Sequence, residues 1–337
     1  MGLRFFNRCV ALRCVALRCV ALRCVAESFC LQIKSSKKRA LLYKTRGKRQ
    51  EFSLFFLLFE PPYLTIILYF LKFRVLVIFR REKMIFIVDI GNSNTVVGIY
   101  KGEELIKRWR ISTDRTLTVD DIAAKLSALM MFDRIDVKDI RQCIISSVVP
   151  TWNHAWERFS IEFLNMKPLF LRYNTKCGVS LDISNPSEIG ADRIANSVAA
   201  AAMFPQGSFI IDSGTAITLD IVTPGKKYIG GAIMPGIMIS MEAMSLRTAK
   251  LPRFELDRPL HAIGKSTLEG LTSGVFYGFV GMVDRVIEES LKEVDFKPKI
   301  IATGGLAGAI ASASNYISEF DRDLTLKGLK IIAELNR

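Results

Sequence analysis

Three carboxylates stand where phosphate chemistry could use them. The first ends an apolar run: Met84-Ile-Phe-Ile-Val leads into Asp89, the chain turns on Gly91-Asn92-Ser93-Asn94, and a β-branched run resumes at Thr95-Val96-Val97. A strand that stops at a carboxylate and turns on Gly and small polar residues reads as a tight hairpin. The N–H groups and hydroxyls of such a turn are what a polyphosphate needs. A carboxylate beside bare phosphate would repel it, so the pairing makes chemical sense only with a divalent cation between them. A ligand-free hairpin braced by its Asn side chains explains this one stretch equally well. A second copy shifts the balance. Phe209-Ile-Ile-Asp212-Ser213-Gly214-Thr215-Ala216-Ile-Thr-Leu-Asp220 repeats the design roughly 120 residues later, which suggests a duplicated domain with a nucleotide between the halves.

The third carboxylate lies in Gly190-Ala191-Asp192-Arg193. An acid able to accept a proton sits beside a cation able to hold an anion. A helix start and an adjacent cation both favour the ionised form, so Asp192 is expected to stay deprotonated at neutral pH. A plain surface pair on a helix is the competing account. Gly230-Gly231-Ala232-Ile233-Met234-Pro235-Gly236 permits close backbone approach to a ligand or another chain, and Thr303-Gly304-Gly305-Leu306-Ala307 joins a strand to an anion-tolerant helix start. Other signals fail. Gly264-Lys265-Ser266 lacks the glycine that a Walker A loop requires, since Pro259 stands there. His154 and His261 have no Cys or carboxylate at ligand spacing, and no Ser or Cys has a His partner nearby in sequence.

The elements needed to position these groups are legible in outline. Glu104 to Thr113 alternates as a third strand, Thr118-Val-Asp-Asp121 is a capping box opening a helix through Phe132, and Cys143 to Val149 is a fourth strand stopped by Pro150. A helix from Thr151 carries Trp152, Trp156 and Phe159 at core spacing, Pro168 to Arg172 is a short strand, and Ser187 to Phe204 is Ala-rich and helical. The second half restarts with strands over 208–213, 215–223 and 226–233, then a helix to about Leu246. A long helix from about Thr267 to Val294 spaces Gly270, Gly274 and Gly278 four apart, which invites another backbone to approach. Lys299–Thr303 is a strand, Leu306–Ala313 a helix and Leu324–Asn336 a final helix. The fold class expected is α/β, with a domain over 84–204 and a second over 205–337.

The net charge of +14 would ordinarily suggest nucleic acid or an anionic membrane as partner. Residues 1–83 hold 18 Lys and Arg against 4 Asp and Glu, whereas the other 254 residues hold 29 of each. The body is electrically neutral, so neither partner is expected for residues 84–337. Those first 83 residues carry a tandem Cys-Val-Ala-Leu-Arg repeat whose period fits neither helix nor strand, then a basic patch over Lys34–Arg49. An apolar run over 52–79 follows, broken by charges that make membrane insertion marginal. Arg80-Arg81-Glu82-Lys83 is what a purine-rich ribosome-binding site would encode, so Met84 reads as the native start and 1–83 as translated upstream sequence; a targeting arm is the rival reading. Cys143 and Cys177, the only cysteines after Met84, fit a reducing cytoplasm.

Taken together, Asp-Ile-Gly-Asn-Ser-Asn-Thr at 89–95, Gly-Ala-Asp-Arg at 190–193, Asp-Ser-Gly-Thr-Ala at 212–216, Gly-Gly-Ala-Ile-Met-Pro-Gly at 230–236 and Gly-Lys-Ser-Thr at 264–267 resemble type III pantothenate kinase, over essentially all of 84–337. The resemblance implies two duplicated ribonuclease-H-like domains with mixed sheets flanked by helices, a nucleotide cleft between them, and ATP-dependent phosphorylation of pantothenate as the first step towards coenzyme A. It implies Asp192 as proton acceptor, ATP on Asp89, Ile90, Gly91, Asn92, Ser93, Asn94, Thr95, Val96 and Thr215, and adenosine near 303–307. Pantothenate would lie against Gly190, Ala191, Asp192, Arg193 and Thr267. Asp89 would organise Mg²⁺, directly or through water, and Asp212 a monovalent cation, K⁺ or NH₄⁺. Because Thr267 matches a contact near a subunit boundary, a homodimer is implied. The family often has Tyr at the substrate-binding position where Ile183 stands, and an isoleucine side chain has no hydroxyl to bond the substrate there. A non-catalytic relative acting as a regulatory factor is the alternative, and it should have lost Asp89 or Asp192; both are present.

Overall fold

The computed structural model describes residues 29–35, 38–44, 84–247 and 256–337. Strands β1 (Phe29–Ser35) and β2 (Lys38–Lys44) pair antiparallel and belong to a unit of their own, Met1–Arg81. The tandem repeat and the apolar run over 52–79 lie outside the described residues. Everything else belongs to the unit Glu82–Arg337.

In that unit β3 (Met84–Ile90), β4 (Asn94–Lys101) and β5 (Glu104–Ser112) form an antiparallel meander, and β6 (Ile140–Ser147) and β7 (Leu169–Phe170) add on the other side of β3. The sheet order is β5-β4-β3-β6-β7. The second sheet is built from β9 (Ser208–Ser213), β10 (Ala216–Val222), β11 (Lys227–Pro235), β12 (Lys299–Thr303) and β13 (Glu319–Phe320). Its order is β13-β12-β9-β10-β11, with β8 (Ser180–Leu181) added parallel to β11 at the edge. In both sheets the strands, numbered within their half, run 3-2-1-4-5, with the first three antiparallel and the fourth parallel to the first. The duplication expected from two hairpins is therefore a duplication of topology.

Helices α1 (Val119–Phe132) and α2 (Asn153–Phe163) cover one face of the first sheet. The capping box at Thr118 is present: its hydroxyl accepts from the Asp121 N–H while the Asp121 carboxylate accepts from the Thr118 N–H. Helices α4 (Ile237–Arg247), α5 (Thr267–Leu291) and α6 (Ala307–Ala311) cover the far face of the second. Between the sheets lie α3 (Ala191–Met203) and α7 (Leu324–Leu335), packed on Ile85, Ile87 and Ile144 from one side and on Ile210, Tyr228 and Ile301 from the other. This position explains the composition of α3. A helix hemmed in on every side needs small residues, and a Cβ on Gly328 of α7 would fall 1.8 Å from the Ala195 carbonyl oxygen.

The two-residue strands β8 and β13 were not expected; they are too short to show a period. The helix expected from Ser187 begins at Ala191, after a 3₁₀ turn over Pro186–Glu188.

Candidate active site

Side chains alternate along a strand, so the faces of β3 and β9 follow from their apolar rows. Ile85 and Ile87 pack between the sheets, while Phe86, Val88 and Ile90 pack outward. Asp89 continues the inner row. In β9, Ile210 is inner and Phe209 and Ile211 are outer, so Asp212 also points inward. Both carboxylates therefore face the space between the halves, at the strand ends. Asp192 reaches the same space from the first turn of α3.

The two hairpin turns meet here: Ser93 Oγ and Thr215 Oγ1 are 3.3 Å apart. Behind the first turn, Thr113 Oγ1 donates to the Gly91 carbonyl at 2.7 Å, the Thr113 N–H bonds the Ser93 carbonyl at 3.0 Å, and buried Thr95 bonds Thr113 through its hydroxyl at 2.9 Å. The turn is thus held from beneath, which leaves Asn92 and Ser93 exposed at its tip. Gly304, at φ +100°, closes the floor on the other side, and a Cβ there would stand 2.7 Å from an Asp212 carboxylate oxygen.

Electrostatics set this cluster apart from an ordinary polar surface. Burial pushes the Asp89 carboxyl up to about 7; the charge of Asp192 adds to the rise, the Ser146 hydroxyl opposes it, and Asp212 raises it further. Burial likewise raises Asp212 to about 7, with Asp192 adding, the Asn196 amide opposing at 2.8 Å and Asp220 adding. Asp192 is raised as well. Burial outweighs the Arg193 N–H, which donates to it at 2.8 Å, and the Arg193 charge. The expectation of a carboxylate held ionised by helix and cation misses this, because desolvation is the larger effect. Of the three carboxyl groups only Asp192 feels a cation, Arg193, while Asp89 and Asp212 are acted on by other carboxylates, which makes a site that attracts positive charge. Among the described residues no group of three or more His, Cys, Asp or Glu is arranged to hold a metal by itself. The donor set instead suits a hard cation held by one carboxylate and completed by ligand oxygens and water.

This has a consequence for stability without ligand. A carboxyl whose folded pKa is raised contributes most below its ordinary range and loses that contribution as pH rises through the folded value. Asp212→Asn imitates the protonated form. It should raise the thermal midpoint by roughly 2–4 °C at pH 8 and by little at pH 5, with no divalent or monovalent activator added. A difference that does not depend on pH would sink this account of Asp212.

Arg193 is less free than its sequence suggests. Its Nε donates to Asp220 at 2.7 Å and its guanidinium lies 5.8 Å from the centre of the Tyr228 ring. Asp220, fully buried, also accepts from Tyr228 at 2.9 Å and from Thr218 at 3.0 Å. Asn196 completes the wall, giving its amide to Asp212 and accepting from Thr325 of α7 at 2.7 Å. Asp220, Tyr228, Asn196 and Thr325 escaped the sequence reading. A signal did exist for Asp220, an ionisable residue amid the apolar alternation of β10. Ile183 packs on the central core, with Gly230 beside it. Thr267 opens α5 on an exposed surface, after Ser266, whose hydroxyl accepts from the Glu269 N–H. Neither takes part in the hydrogen bonds that join Asp89, Asp192 and Asp212 to their neighbours.

Comparison with known proteins gives the family of the chain. The family model for type III pantothenate kinase matches residues 85–289. The type III pantothenate kinase of Anaeromyxobacter sp. (strain Fw109-5) is 43% identical over 254 residues, covering 75% of this chain and 100% of that protein. Those of Geotalea daltonii and Geobacillus kaustophilus are 44% and 45% identical, covering 75% of this chain and 99% and 98% of theirs. The chain belongs to the type III pantothenate kinase family.

Proposed function

We infer that the chain phosphorylates the primary hydroxyl of pantothenate with ATP, the entry step to coenzyme A. The observation that carries this reading is the convergence of Asp89, Asp192 and Asp212 on the space where two glycine-bearing turns meet. Phosphoryl transfer needs alignment, charge neutralisation and a base for the attacking hydroxyl. The turn at 91–93 and the residues flanking it over 90–96 offer N–H groups and hydroxyls to the phosphates, and Thr215 adds a hydroxyl from the opposite hairpin. Asp192 accepts the hydroxyl proton. Gly190 and Ala191 shape the helix start, and Arg193, anchored on Asp220, presents positive charge to the substrate's anionic end. Asp89 would hold Mg²⁺ together with nucleotide oxygens and water. When bound, that ion neutralises phosphate charge. Asp212, braced by Asn196 beneath the Gly304 turn, is the position for K⁺ or NH₄⁺. An accessory factor without catalytic activity would have no use for these three acids, and the family relationship does not favour one.

The homodimer belongs to the same reading. Pro235, Met244, Leu271 and Phe279 line an apolar cavity of about 350 Å³ beside Gly270, Gly274 and Gly278. The backbone of Gly264 makes the expected close approach at Gly270, where a Cβ on Gly264 would fall 2.3 Å from the Gly270 nitrogen, whereas at Gly274 and Gly278 the space a Cβ would occupy is open among the described residues. Ile233, Met238, Ile239, Leu260, Ile263 and Leu268 are exposed as well, and a contiguous apolar surface built from them and the cavity would mark an interaction surface. A second copy covering it would place Thr267 near a shared boundary. No described helix is long and apolar enough to cross a membrane, and we place the enzyme in the cytoplasm.

A coupled assay of ADP release with the purified chain tests the reading. ADP should form only when ATP, Mg²⁺ and pantothenate are all present, and K⁺ or NH₄⁺ should accelerate it. ATP turnover indifferent to pantothenate would overturn the substrate assignment.

A further inference from the structure

Arg110 occupies an unusual place on β5. In the strand register it stands opposite Val96, which stands opposite Asp89, which stands opposite Ser146. Partners in register project to the same face of a sheet, so these four residues form one row across the inner face, level with the first hairpin. Two residues earlier on the same face, Arg108 is engaged by Asp323 at 2.7 Å, just before α7. The Arg110 side chain makes no hydrogen bond or ion pair among the described residues, and the residue is exposed. Its guanidinium nevertheless reaches the other half: Nη1 and Nη2 each lie 3.5 Å from where a Cβ on Gly305 would stand. Gly305 follows Gly304 in the turn between β12 and α6, and the last residue of β12, Thr303, is in register with Asp212.

A cation in the Asp89 row, unpaired where its neighbour is paired, spans the opening between the two turns. An unengaged surface arginine usually extends into water to keep its hydration. This one lies against a glycine backbone that gives it no hydrogen bond. A guanidinium presents a planar fork of donors matched to phosphate oxygens, and partial desolvation strengthens that contact.

We propose that Arg110 binds the polyphosphate of the nucleotide from the side opposite Asp89 and draws the Gly304-Gly305 turn against it. The assignment rests on the reading of this space as the ATP site. Arg110 then acts in binding and alignment of ATP, and pantothenate does not touch it.

The test is the affinity of the full-length chain and of its R110A and R110K variants for MgATP, ADP and adenosine by calorimetry, with steady-state kinetics alongside. R110A should weaken ATP and ADP binding by about 10- to 100-fold, the range expected for losing a hydrogen bond to a charged group. Adenosine affinity, the KM for pantothenate and the thermal midpoint should stay unchanged. R110K keeps the charge but not the fork and should recover only part of the loss. Equal losses for adenosine and ATP would overturn the phosphate assignment, because Arg110 would then be supporting the glycine turn. Normal ATP binding by R110A, with the unaltered chain binding ATP, would overturn the proposal alone. An unaltered chain that binds no MgATP would remove both the proposal and the kinase reading.

Discussion

Asp192→Asn is expected to lower kcat by about 10²–10⁴, the usual worth of a positioned base, while leaving the affinity for MgATP nearly unchanged. The substitution preserves shape and hydrogen-bonding capacity and removes only basicity. The environment of Asp192 makes the loss specific. Its pKa is pushed up chiefly by burial, against the pull of the Arg193 N–H and charge, and the Nε of Arg193 is engaged by Asp220. A carboxylate raised from its ordinary range is a stronger base than one held down by a salt bridge, yet it must be deprotonated to work. The acid limb of the kcat–pH profile should therefore lie above the ordinary carboxylate range, with activity falling as pH falls through it. Asp192→Asn should abolish that limb together with most of the rate. A variant that keeps its turnover, or keeps the limb in a reduced rate, would show that another group takes the proton.

Both hairpins, their aspartates and the order of the long elements could be read from the sequence because each depends on local pattern. Asp89 ends an apolar run and Gly91 follows two residues on; nothing distant is needed to see a turn there. Asp220 could not be placed in the same way. Its partners Arg193 and Tyr228 come from α3 and β11, and only the closing of the second sheet against α3 brings them together. Thr325 meets Asn196 across 129 residues. The sequence shows α7 as an amphipathic helix but not that it inserts between two sheets. Arg110 looked like one more polar residue of an alternating strand until the register set it in the row of Asp89. The direction of the Asp192 shift was misjudged for a related reason. Helix dipole and sequence neighbour are local terms, whereas desolvation depends on everything packed around the group.

Asp220→Ala should be the most destabilising single change at the site, costing about 3–5 kcal/mol, the range seen when one partner of a buried ion pair is removed. Asp220 is fully buried and accepts from the Arg193 guanidinium, the Tyr228 phenol and the Thr218 hydroxyl. Burial raises its carboxyl and the three donors oppose that rise; the anion in turn holds the Arg193 guanidinium firmly charged. Deleting the carboxylate leaves a partly buried cation and a buried phenol without their acceptor. Tyr228→Phe removes one donor and no charge, so it should cost nearer 1 kcal/mol. Urea unfolding of the two variants beside the unaltered chain measures the contrast. Arg193 also loses its tether, so in whatever Asp220→Ala protein folds, the KM for pantothenate should rise more than that for ATP. Asp220→Asn keeps the shape and should fall between the extremes in stability. If Asp220→Ala were no less stable than Tyr228→Phe and the two KM values moved together, Asp220 would be a satisfied core residue with no part in presenting Arg193 to the substrate.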